Sequence, residues 1–69
     1  MISPKDIEYM NECTTRDVIQ MLIEKKNMSR HEAMKLFYNS KTFELLLNPD
    51  SKLYYQSPIY VFDILENFG

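Results

Sequence analysis

Glycine, cysteine, histidine and tryptophan are nearly missing from this sequence: its 69 residues hold one, one, one and none of them. Each shortage excludes something. The lone glycine, Gly69, is the last residue, so no glycine-rich loop is there to bring backbone N–H groups against a phosphate. A single cysteine, Cys13, cannot close an intramolecular disulfide, which excludes a disulfide-stapled secreted scaffold. One cysteine and one histidine fall short of a structural zinc site. His31-Glu32 runs on into Ala33-Met34-Lys35, without the second histidine of a metalloprotease helix. The acidic residues are scattered rather than gathered into a calcium loop. No metal or cofactor is expected. No apolar run approaches the roughly 20 residues of a membrane span. The opening MISPKDIEYM lacks the basic and apolar regions of a signal peptide. A cytoplasmic location is the expectation, and the acceptor-like Asn27-Met28-Ser29 means little without secretion.

What is present has globular composition, with 45% apolar and 26% charged residues, and reads as one domain over 1–69. A chain of this length buries only about 60% of the surface it exposes when unfolded, so its own core supplies modest stability. Net charge is −2, not that of a general nucleic-acid binder, but it is unevenly spread. Residues 1–24 set Lys5 and Arg16 against Asp6, Glu8, Glu12, Asp17 and Glu24. Residues 25–52 set Lys25, Lys26, Arg30, Lys35, Lys41 and Lys52 against Glu32, Glu44 and Asp50. Asp63 and Glu66 follow. The basic middle reads as a solvated segment first, and as a patch for an acidic partner or nucleic acid second.

Ser3-Pro4-Lys5-Asp6 has the cap, first-turn proline and acidic residue of a helix start. At 100° per residue, Ile7, Met10, Thr14, Val18, Met21 and Leu22 then share one face, which predicts one helix to about Lys26. Thr14 and Asp17 offer a second capping box, and with it a break near Cys13–Thr15. The continuous helix is the preferred reading. Ile19 and Ile23 form a second apolar stripe, so this helix is either central or shared with a partner. Asn27–Ser29 is a turn, and Ser29 with Glu32 makes a capping box. The next helix should bury Ala33, Leu36 and Phe37, flanked by Met34 and Tyr38. After Asn39-Ser40 a short helix from Lys41 to Leu47 carries Phe43, Leu46 and Leu47. Asn48-Pro49-Asp50-Ser51 is a turn. Leu53-Tyr54-Tyr55 is expected to be a short extended segment. Ser57-Pro58 opens the last helix, with Val61, Ile64, Leu65 and Phe68 on its core face. The fold class is all-α, a bundle of about four helices.

Catalysis finds little support. Cys13 and His31 are the sole nucleophile–base candidates, and nothing in the spacing brings them together; the chain reads as no enzyme. The helix–turn–helix layout around residues 27–29 makes Arg30, His31 and Lys35 candidate nucleic-acid contacts, opposed by Glu32, by the absence of glycine in the turn and by the negative net charge. Ser3-Pro4 and Ser57-Pro58, which look like phosphorylation sites, are accounted for as helix caps. All aromatics but Tyr9 lie from Phe37 onward. They are core material first, but Tyr54, Tyr55 and Tyr60 carry hydroxyls that belong at a core edge, where tyrosines also anchor interfaces. Ile19 and Ile23, with Tyr54 and Tyr55, are therefore the candidate partner-binding residues.

The segments Tyr9 to Ile19 and Leu53 to Phe62, with Met28, Ser29, Glu32, Ala33 and Phe37 between them, resemble a family of small uncharacterised bacterial proteins, a domain of unknown function. The resemblance covers nearly the whole chain. Members of that family are often encoded beside toxin-like or ADP-ribosyltransferase-like genes, which implies an antitoxin-like or regulatory role toward a neighbouring gene product; the family carries no activity or functional residue to transfer. Where members often have Thr-Gly before the Leu-Tyr pair, this chain has Ser51-Lys52. The expected function is a small protein-interaction module, with a protein partner or a homo-oligomer. A DNA-binding regulator and a self-associating structural protein are the alternatives.

Overall fold

A computed structural model describes residues 3–68, and the side chains of residues 3–67. Four α-helices follow one another: α1 Pro4–Lys26, α2 Arg30–Tyr38, α3 Lys41–Leu47 and α4 Pro58–Phe68. No strand occurs among the described residues. Two 3-10 turns, Pro49–Ser51 and Leu53–Tyr55, join α3 to α4.

The helix ends follow from local chemistry. At α1 the Ser3 hydroxyl accepts from the Asp6 N–H at 3.2 Å, and Asp6 Oδ2 accepts from the Ser3 N–H at 3.1 Å, which satisfies two of the N–H groups a helix start leaves unpaired. α1 runs unbroken past Thr14 and ends at Asn27, whose left-handed φ of 56° an Asn tolerates better than most residues. Ser29 and Glu32 form the same reciprocal box at α2. Ser40 does double duty between α2 and α3. Its hydroxyl donates to the Phe37 carbonyl at 2.6 Å and accepts from the Phe43 N–H at 3.1 Å.

Leu53-Tyr54-Tyr55 is a 3-10 turn rather than extended. Ser51 sets this geometry: its hydroxyl donates to the Leu45 and Asn48 carbonyls and accepts from the Leu53 N–H. Lys52 then takes a left-handed conformation, φ 59° and ψ 21°. The turn is made without glycine, at a backbone cost of about 1–2 kcal/mol.

α1 is the central element, packed by α2 and by α4, with α3 bridging to α4. Val18, Ile19 and Leu22 of α1 meet Ala33 and Phe37 of α2, Leu46 of α3, Leu53, and Val61, Phe62 and Leu65 of α4. Ile23 packs against this core half-buried. The second apolar stripe of α1 is thus covered by the chain's own helices. This corrects the expectation of free contact surface for Ile19, which is only 7% exposed; Ile23 is half-buried. The ring of Phe37 meets Phe43 at 5.3 Å, near edge-to-face, a favoured aromatic geometry. Lys26 pairs with Glu66 at 3.0 Å and Lys25 lies over the Phe62 ring, both tying the end of α1 to α4.

Two leucines depart from expectation. Leu36 and Leu47 are 42% and 55% exposed, because α2 and α3 turn only the stripes of Ala33 and Phe37, and of Thr42 and Leu46, toward the core. Phe62 and Thr42 are buried although the periodicity did not mark them. The side chain of Phe68, placed by periodicity on the α4 core face, lies outside the described residues, as does Gly69.

The Thr42 hydroxyl is buried with no hydrogen-bond partner, a cost of about 1–3 kcal/mol. Thr42→Val keeps the shape and removes the orphan. It should stabilise the fold by about 1 kcal/mol, read as a raised urea midpoint at unchanged slope. Glu32 gives a pH dependence. The Ser29 backbone N–H first, then the Ser29 hydroxyl, hold its carboxyl below the ordinary glutamate value; slight desolvation opposes them and His31 adds to them. A lowered folded value contributes stability above the ordinary range that is lost as pH falls through the lowered one. In an acid titration followed by circular dichroism, Glu32→Gln should lack this increment of acid-induced loss.

Candidate functional site

α1 has 23 residues and is about 34 Å long at 1.5 Å per residue, close to the 38 Å longest extent of the molecule. α2 and α4 have 9 and 11 residues, about 13 and 16 Å. They cannot flank α1 along its whole length. No residue of α1 before Asn11 is buried, and two depressions along α1 both reach past that point.

The larger is a groove of about 590 Å³ between α1, α2 and α3. On α1 its lining is one helical face, Glu8, Asn11, Glu12, Thr15, Arg16, Ile19 and Gln20, as i, i+3 and i+4 spacing requires. Met34 and Tyr38, one turn apart on α2, and Phe43 and Leu47, one turn apart on α3, supply the apolar side. Tyr38 and Phe43 fix each other edge-to-face at 5.0 Å and 81°. Met34, Tyr38 and Leu47 are exposed, at 37%, 45% and 55%, and Ile19 is reached only through this groove. The sequence reading had Met34 and Tyr38 merely flanking a core stripe. Their i, i+4 spacing was the available signal, and what it lacked was knowledge that no element lies over them.

The charges on the groove are ordered. Glu8 and Glu12 stand toward the start of α1, and Arg16 lies further along. Arg30, at the first position of α2, follows a three-residue turn from the far end of α1 and belongs to the Arg16 end. All four are exposed. The one ion pair within 4 Å among the described residues is Lys26–Glu66, so none of the four is paired, not even Glu12 with Arg16 one turn away. Asn11, 9% exposed, brings to the same groove a buried Oδ1 with no hydrogen-bond partner.

The second depression is shallower, about 350 Å³, between α1 and the segment before α4. Tyr54 and Tyr55 meet edge-to-face there at 5.2 Å, beside Tyr9, Cys13 and Pro58. Tyr55 is 56% exposed and Tyr54, like Ile23, half-buried, so of the four candidate partner-binding residues only Ile19 is withdrawn from the surface. Cys13 is half-buried and free, and no histidine lines its depression. Arg30, His31 and Lys35 are all exposed on α2. His31 and Lys35 share a face by their i, i+4 spacing, whereas Arg30 turns to the groove. No group of three or more His, Cys, Asp or Glu suited to a metal ion occurs among the described residues, and no helix there is long and apolar enough to cross a membrane.

Among the groove's apolar side chains, Leu47 is the most exposed and holds little of the fold together. Leu47→Ser should change unfolding free energy by no more than about 0.5 kcal/mol, whereas truncating the fully buried Phe37 to Ala should cost about 3–5 kcal/mol. Parallel urea melts compare the two. Comparison with protein-family models, curated proteins and solved structures finds no match to this chain.

Proposed function

We propose that this chain is a non-catalytic protein-interaction module that receives an apolar surface of another polypeptide in the groove between α1, α2 and α3. The observation that carries this reading is the gathering of Met34, Tyr38 and Leu47, exposed as they are, with Phe43 and Ile19 around one cavity. Scattered apolar residues on a surface need no explanation, whereas a contiguous patch rimmed by charge marks an interaction site. A groove about 18 Å long, the span of α1 from Glu8 to Gln20, with a polar wall on α1 and an apolar wall on α2 and α3, is a shape that accepts a helix. The resemblance to proteins encoded beside toxin-like genes supports a polypeptide rather than a small molecule as the occupant.

The test pairs wild type with the double variant Met34→Glu, Leu47→Glu, each tagged, purified after nuclease treatment and weighed. The expected result is protein bound to wild type at fixed stoichiometry, as a different chain or a further copy, and lost from the variant, whose melting curve is unchanged. A variant that keeps its bound protein overturns the groove as the docking face. Bound material that disappears on nuclease treatment overturns the reading in favour of nucleic acid and of Arg30, His31 and Lys35.

A further inference from the structure

We propose that the face bearing the groove docks against the same face of a second copy of this chain, related to the first by a two-fold axis across α1 between Glu12 and Arg16. This rests on the groove being a docking face and names what docks there.

The argument is the order of charge. Along the groove an acidic pair, Glu8 and Glu12, is followed by a basic pair, Arg16 and Arg30. A two-fold axis between the pairs reverses that order in the partner. The acidic end of each copy then faces the basic end of the other, twice over. A two-fold interface brings one surface patch against itself, so the patch must be self-complementary, and one pair of each sign at opposite ends of one groove satisfies that condition. Among the described residues, none of the four has an opposite charge within 4 Å.

The experiment uses the whole chain in three forms: wild type; an all-basic groove, Glu8→Arg with Glu12→Arg; and an all-acidic groove, Arg16→Glu with Arg30→Glu. Sedimentation equilibrium at low salt reads the mass. Wild type is expected to be a dimer. Each variant alone should dissociate with a Kd raised at least about tenfold, since like charges then face each other. The two variants mixed at equal concentration should form a heterodimer at least as tight as wild type, weakening with added salt. The four side chains are exposed, and circular dichroism verifies that both variants fold. A monomeric wild type overturns the proposal; the docking face itself survives if Met34→Glu, Leu47→Glu still abolishes capture of a different chain. A wild-type dimer that neither charge variant weakens, or variants that fail to pair on mixing, overturns it as well.

Discussion

The structure depends on a mismatch of length. One helix of 23 residues is flanked by helices of 9 and 11. Hydrophobic stabilisation scales with the apolar area that partners cover, so the core forms only where cover exists, from Asn11 onward on α1. Beyond it α1 is held by its own hydrogen bonds and its Ser3–Asp6 cap. Two depressions run along α1 from that stretch into its covered part, and the larger is walled by Met34, Tyr38 and Leu47 of α2 and α3, which lie outside the buried core.

Within the covered half, α1 meets α2 on one side and α4 on the other, which is why it carries two apolar stripes. Phe37 and Leu46 are fully buried, as are Val18 and Val61. In a domain whose whole stability is a few kcal/mol, any one of these positions matters. The short connections are held by side-chain oxygens rather than by glycine. Ser29, Ser40 and Ser51 each accept from a backbone N–H, and Asn27 and Lys52 take the left-handed positions. A sequence with glycine only at its last residue thus turns sharply by hydroxyl chemistry and two strained residues.

Much of this was legible in the sequence because it is local. Caps, first-turn prolines and the 3.6-residue period depend on neighbours a few residues away, and they placed α1, α2, α3 and α4 and the core residues Val18, Leu22, Ala33, Phe37, Leu46, Val61 and Leu65. Leu36 and Leu47 went astray because periodicity says that a face is apolar, not that anything lies against it. The Leu53–Tyr55 segment went astray because its geometry is set by Ser51 reaching back to the Leu45 carbonyl, a contact six residues distant. Ile19 joins the core and Ile23 packs against it, which the periodicity of α1 alone does not reveal.

The sequence by itself determined the helical class, the helix ends and the shortage of catalytic and metal-binding side chains, since each follows from residue type or from contacts within one turn. Only the tertiary structure decided where apolar surface is left over. That depends on how far α2 and α4 reach along α1. It also depends on α3 bringing Phe43 and Leu47 opposite the face of Glu8, Glu12 and Arg16, residues roughly 30 positions apart that no local pattern connects.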